Sequence, residues 1–347
     1  MNGGERRQNR RAVLLGGASA SFSIGLVAMS ANGAAGTPAF AELKLARPGP
    51  DSSSSAIQTF SGHTDNVNSV AIVPGGRTVL SCSSDGTLKL WDVATGEAIR
   101  SFTGWGYALA CAPDGRTALL AGDGGISVFD LASGDHIRSL DAHKDSVRAL
   151  ALAPDGRTAL SGSDDHTLKL WDIGTGEQLR AFAGHGYSVR GVAISPDGRT
   201  ALSGSWDVSI SPLGDKTLKL WDIATGREIH DFSGISDWIW GVAFSPNGRV
   251  ALAGGDRLLK LWDIATGKMI RDLRVRGVHA VAFSSDGRRV LANDSEKIIL
   301  FDAATGEVIR TFTGHSRNVS SLAFAPDGRT ALSASWDHTL KLWNTDV

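Results

Sequence analysis

The sequence predicts an all-β fold made of seven copies of one four-stranded unit. Three observations carry that prediction. A unit ends in "LKLWD" or a variant of it. The aromatic of that ending falls at Trp91, Phe129, Trp171, Trp221, Trp262, Phe301 and Trp343, at intervals of 38, 42, 50, 41, 39 and 42 residues. A fixed period of this size marks a repeat architecture. The segments between turns are short, apolar and often β-branched, and Gly, Asp, Asn and Pro bound them, as expected of strands joined by tight turns. Helical spacing is not sustained anywhere between residues 56 and 347.

The elements follow one order, clearest in the third unit. "VRALALAP" (Val147 to Pro154) forms strand a and ends in a "PDGR" turn. "TALSGS" forms strand b, and an Asp-containing turn leads to "TLKLWD", strand c. An "ATGE"-type turn then gives "QLRAFAGH", strand d. The fourth unit is longer, reading "SGSWDVSISPLGDKTLKLWD" from Ser203 to Asp222. Its eight extra residues are Val208 to Asp215 or Asp207 to Gly214, because Asp207 and Asp215 can each serve as the turn Asp.

The period and the "GH…WD" punctuation, running from Ala56 to Val347, resemble the WD-repeat family. The resemblance implies a seven-bladed β-propeller of four-stranded antiparallel blades. The seventh copy has no strand d after its strand c, whereas a spare, "AIQTFSGH" (Ala56 to His63), precedes the first strand a and matches "VIRTFTGH" (Val308 to His315). The spare strand is expected to complete blade seven and close the ring, which removes open sheet edges.

Residues 1–41 form a separate segment. Four arginines precede an uncharged stretch from Ala12 to Ala41 that ends in Ala39-Phe40-Ala41, an A-x-A cleavage pattern. Asn9-Arg10-Arg11-Ala12-Val13-Leu14 resembles a twin-arginine export signal. The expectation is a signal peptide over 1–41, a flexible linker over 42–55 and a propeller over 56–347, exported to the bacterial periplasm. An uncleaved membrane anchor is the alternative for the first segment. Without residues 1–41 the chain carries a net charge of −4, and nothing suggests a nucleic-acid surface. No membrane association after signal cleavage and a monomeric state are expected. Cys82 and Cys111 take core places in adjacent blades and read as buried thiols, with a disulfide as the alternative.

Four copies hold His, Ser, Asp and Trp at fixed places: His63, Ser81, Asp85, Trp91; His143, Ser161, Asp165, Trp171; His185, Ser203, Asp207, Trp221; and His315, Ser333, Asp337, Trp343. Ser, His and Asp together suggest a hydrolase. Against this, the set recurs four times, the indole N–H can tie up the hydroxyl, and no G-x-S-x-G elbow is present. The resemblance implies a structural network within each blade. Blade two has Trp105 and Leu120 at the His and Ser places, blade five has Ile235 and Ala253, and blade six lacks both partners. No metal set, cofactor motif or catalytic residue stands out.

By the same resemblance the d–a and b–c loops gather at one end, the top face, where strand a begins at the channel mouth. Repeat alignment places Asn68, Tyr107, Arg148, Arg190, Trp240, His279 and Ser320 at that mouth. Trp105, Trp206, Trp238, Trp336 and Asp164 also fall on top-face places. Exposed Trp and Arg are common anchors of binding surfaces. The expected partner-binding set is Trp206, Trp238, Trp240, Trp336, Trp105, Tyr107, Arg148, Arg190, Asp164 and His279. The expected function is a non-catalytic scaffold for an unidentified protein or peptide. The alternatives are small-ligand or glycan binding at the aromatic and arginine mouth, or a propeller enzyme.

Overall fold

Three tight turns per unit fold each copy back on itself, and the computed structural model shows seven four-stranded antiparallel sheets. The described residues are 55–206, 217–232, 235 and 237–346. The expected signal segment 1–41, the expected linker up to residue 54, Asp207 and the blade-four insertion lie outside them. Blade one comprises Val67–Ile72, Thr78–Ser83, Thr87–Asp92 and Ala98–Thr103. The "PDGR" turns depend on glycine in the left-handed region. Gly156, at φ 68°, brings its amide within 2.9 Å of the Ala153 carbonyl, a turn that an L side chain would strain.

Blade seven comprises Val319–Phe324, Thr330–Ser335 and Thr339–Asn344, with Gln58–Ser61 as its outer strand. Gln58 sits opposite Leu342 and Phe60 opposite Leu340. Strand a of each blade lies beside strand a of the next, and blade seven lies beside blade one.

The core is divided among seven apolar clusters, each between two neighbouring blades. Phe60, Leu332 and Leu342 of blade seven pack with Val67, Val79 and Trp91 of blade one, so the closing interface is built like the others. Each aromatic at the end of strand c packs against the preceding blade; Trp171, for example, joins Leu119 and Val128 of blade two. The inner strands read as near-continuous apolar runs because both of their faces are covered.

Close approach between blades limits side-chain size in strand b. A Cβ on Gly162 would lie 2.7 Å from Val189 Cγ1, and one on Gly204 would lie 2.2 Å from Ile239 Cγ2. Blade one inverts this pairing. Cys82 takes the small-residue place, and the facing blade-two residue is Gly106, whose carbonyl lies 3.6 Å from the Cys82 sulfur. Volume lost on one side is regained on the other. Cys82 and Cys111 are both free thiols, and burial pushes each up to about 12, which suppresses thiolate chemistry.

The outer strands are stitched from blade to blade. Arg100 donates to the Ser133 carbonyl, Arg180 to Thr225, Arg271 to Ala304 and Arg310 to Asn344, each in the next blade. Gln58 takes the arginine's place in the closing strand and donates to the Thr95 carbonyl of blade one at 3.3 Å. In the outer strand of blade one, Leu90 faces Arg100 and Trp91 faces Ala98, which leaves Ile99 as a bulge. Such a bulge blunts an edge that would otherwise template pairing with another chain.

Candidate functional site

The mouth is positioned by irregularities in strand a. Its pairing with strand b skips one residue in five blades, between Val67 and Ser69, Val147 and Ala149, Val189 and Gly191, Ile239 and Gly241, and Val319 and Ser321. The skipped residues are Asn68, Arg148, Arg190, Trp240 and Ser320, all assigned to the mouth by repeat alignment. A bulge re-aims a side chain away from the ladder. Blades two and six have shorter inner strands, Ala108–Cys111 and Val281–Phe283, and Tyr107 and His279 lie just ahead of them.

All ten residues of the expected partner-binding set fall into one connected chain. Trp105 packs edge-on to Tyr107 with centroids 4.4 Å apart, and the Arg148 guanidinium lies 3.8 Å over the Tyr107 ring. Arg148 Nε meets Asp164 at 2.6 Å, and Arg190 Nη2 meets the other oxygen of the same carboxylate at 3.2 Å. Ser188 donates to Asp164 and accepts from Arg190 Nε at 2.9 Å. The Arg190 guanidinium stacks 4.3 Å from the Trp206 ring. Trp206 lies 5.3 Å from Trp240 and 6.0 Å from Trp238. Trp240 meets His279 perpendicularly at 5.0 Å, and His279 lies 6.1 Å from Trp336. Blades two to seven each contribute a member.

Burial sets the electrostatics of this chain. Burial lowers the Arg190 guanidinium to about 10 despite Asp164, and it lowers His279 to about 4 despite Asp256. His279 is therefore neutral near pH 7. At the mouth, among the described residues, the buried donors Arg190 Nη1, Trp206 Nε1 and Trp336 Nε1 have no hydrogen-bond partner. On the blade-one side the rim is polar. Asn68 donates to Ser84 and to the Gly106 carbonyl, and Ser320 donates to the Val67 carbonyl.

The tetrads form a second system, distributed through the blades. In blade one, Trp91 Nε1 donates to Ser81 Oγ at 2.8 Å, Ser81 Oγ lies 2.7 Å from His63 Nε2, and His63 Nδ1 lies 2.7 Å from Asp85 Oδ2. An ionised carboxylate can only accept, so His63 carries its proton on Nδ1 and Nε2 accepts from the serine hydroxyl. Blades three and seven repeat the chain through His143, Ser161, Asp165 and Trp171, and through His315, Ser333, Asp337 and Trp343. In blade four, Trp221 donates to Ser203 at 2.7 Å and His185 lies 2.6 Å from Ser203; Asp207 lies outside the described residues. All four serine side chains are 0 % exposed and engaged by an indole, so none is presented to a substrate.

Burial alone would raise the Asp85 carboxyl. Bonds from the Thr87 hydroxyl, the Thr64 amide and His63 outweigh burial and hold Asp85 at about 2, and Asp165 is held at about 2 in the same way. Burial lowers His63 and His143, with the partner carboxylate opposing it.

Several contributors escaped the sequence reading. Thr87, Thr167 and Thr339 each donate to their tetrad Asp at 2.6 Å. The signal was present, since "TLKLW" places a Thr two residues after each of those Asp residues. Asp123, which accepts from Tyr107 Oη and Ser146, carried no such signal. Without the tetrad, blades two, five and six would rest on apolar packing. Leu120 with Phe129, and Ala253 with Trp262, do pack that way. Blade six departs from it: buried Asn293 accepts from the His279 and Ala280 amides at 2.8 Å and donates to the Gly277 carbonyl.

The WD40 profile (WD domain, G-beta repeat) matches residues 54–92, 134–172, 176–222, 226–263 and 306–344, more than half of the chain. The chain belongs to the WD40 family. The unmatched stretches 93–133 and 264–305 hold strands a, b and c of blades two and six, the two WD40 units whose strand c ends in Phe. Shorter similarities join it to individual proteins. It is 37% identical over 78 residues to "Nuclear distribution protein PAC1-2" of Uncinocarpus reesii, covering 19% of this chain and 17% of that protein. It is 48% identical over 42 residues to "Ribosome biogenesis protein BOP1 homolog" of Drosophila grimshawi, covering 12% of this chain and 5% of that one. It is 43% identical over 49 residues to "Probable E3 ubiquitin ligase complex SCF subunit sconB" of Arthroderma otae, covering 14% and 7%. The chain thus spans less than a fifth of the length of these WD40 relatives.

Proposed function

We propose that this WD40 propeller is a non-catalytic scaffold that binds a protein or peptide across its channel mouth. One observation supports the reading above others: six of seven blades place an aromatic, an arginine or His279 in one continuous surface at the mouth. A repeat fold needs no such chain for stability, because its core lies between the blades. Aromatic and arginine side chains supply most of the energy at protein interfaces. One relative is by name a subunit of an E3 ubiquitin ligase complex, which agrees with an assembly role. Glycan binding is less well supported, because stacking needs free indole faces and Arg190 occupies one face of Trp206. The scaffold acts in the periplasm after export, a reading that rests on the arginine-led segment 1–41.

The test is capture from a periplasmic extract by wild type and by a Trp238→Ala/Trp240→Ala variant, with melting temperatures measured on both. Loss of a specific captured protein at unchanged stability supports the mouth as the binding surface. Capture of the same proteins by both removes it. Fusing residues 1–41 to a reporter and assaying its export tests the location.

A further inference from the structure

The orphaned groups at the mouth share a chemical character. Arg190 Nη1, Trp206 Nε1 and Trp336 Nε1 are all donors, and none has an acceptor. Buried polar groups are ordinarily satisfied, so a run of unmet donors describes what a ligand would bring. Arg190 is the most constrained. Its side chain is 4% exposed, its Nε is held by Ser188, and Nη2 is held by Asp164. Nη1 is what remains. The Trp206 ring lies 4.3 Å from the same guanidinium, so the residue stacked on Arg190 carries a second unmet donor.

The occupied seats narrow the class further. A cation would need an aromatic face, but Arg190 and Arg148 already lie on Trp206 and Tyr107. An acceptor is what the donors lack. One guanidinium N–H and one indole N–H match the two oxygens of a carboxylate. We infer that the channel mouth binds the carboxylate of an acidic residue in a partner peptide, one oxygen on Arg190 Nη1 and the other on Trp206 Nε1. The inference rests on the reading of the mouth as a peptide-binding surface. Because both donors are covered in the unliganded molecule, the carboxylate enters by displacing the Trp206 indole from the guanidinium face. Binding therefore changes the surroundings of that indole.

Intrinsic tryptophan fluorescence of the full chain tests this, titrated with three acetylated, amidated tripeptides that differ only at the centre: Asp, Asn and phosphoserine. The Asp peptide is expected to change the fluorescence and to bind at least about tenfold more tightly than the Asn peptide, as charge-assisted bonds provide. Arg190→Gln brings that ratio to about one. Trp206→Phe keeps an aromatic ring and deletes the N–H; with its binding read by titration calorimetry, since the reporting indole is gone, it weakens only the Asp peptide, so the test survives if Arg190→Gln does not fold. Equal binding of the Asp and Asn peptides, tighter binding of phosphoserine, or no fluorescence response overturns the carboxylate assignment. The wider reading is tested separately. Partner capture that is lost in Trp238→Ala/Trp240→Ala but kept in Arg190→Gln removes the carboxylate and leaves the surface.

Discussion

Replacing Ser81 with Ala tests the tetrad as a coupled hydrogen-bond chain. Ser81 is 0% exposed, accepts from the Trp91 indole at 2.8 Å and donates to His63 Nε2 at 2.7 Å. Losing the hydroxyl orphans one buried donor and one buried acceptor, each costing about 1–3 kcal/mol, so the variant should lose roughly 2–6 kcal/mol. Trp91→Phe removes the indole donor and part of the packing, for an expected loss of about 1–3 kcal/mol. Both changes delete the same bond. The double variant should therefore fall short of the sum of the single effects by about 1 kcal/mol or more. Blade six shows the end point of that path, with Phe301 paired opposite Val290 and Ala292 at the serine place. Urea unfolding of the four proteins at pH 7, followed by circular dichroism, measures the coupling. Additivity within about 0.3 kcal/mol, or a neutral Ser81→Ala, would refute the chain.

The same geometry fixes other outcomes. Stability should fall as pH drops below 6.5, because the unfolded chain takes up protons on histidines that burial keeps neutral in the fold, His63, His143 and His279. Lowering His279 to about 4 alone corresponds to roughly 3 kcal/mol once the pH has passed that value. A steeper loss should follow between about pH 4 and pH 2, as Asp85 and Asp165 are protonated; melting temperatures across pH 2–8 test both phases, and a flat profile contradicts them. Gly204→Val should cost about 1–3 kcal/mol, since its Cβ meets Ile239 Cγ2 at 2.2 Å, and Ile239→Ala in the same chain should recover part of the loss, in the manner of Cys82 facing Gly106. Phe60→Ala should cost about 3–5 kcal/mol, because a 0% exposed ring leaves the closing interface, and denaturant midpoints measure it.

The repeat makes the architecture legible in the sequence alone. Seven endings gave seven blades, and the "AIQTF" match to "VIRTF" indicated the strand that completes blade seven. The mouth positions were legible for the same reason, since a residue at one place in a repeat lies at one place in the ring. What was not legible is how they meet. No pattern announces a bulge at Arg148 or Arg190, because the residue that leaves the ladder is selected by the blade-to-blade fit. The sharing of Asp164 by two guanidiniums also brings together blades three and four, and a single repeat cannot encode that. Cys82 takes the place that Gly162 and Gly204 hold in blades three and four, and only the fold sets Gly106 opposite it. The stitching by Arg100, Arg180, Arg271 and Arg310 was visible as an "IR" or "LR" pair in strand d, but its target is a carbonyl in the next blade.

Amide hydrogen exchange with and without a captured partner tests the central claim most directly. The account predicts protection at the starts of strand a in blades two to six, around Tyr107, Arg148, Arg190, Trp240 and His279, and at Trp336 in blade seven. It predicts none at the "PDGR" turns on the opposite end. Protection confined to those turns or to the outer strands, with the mouth unchanged, would contradict it.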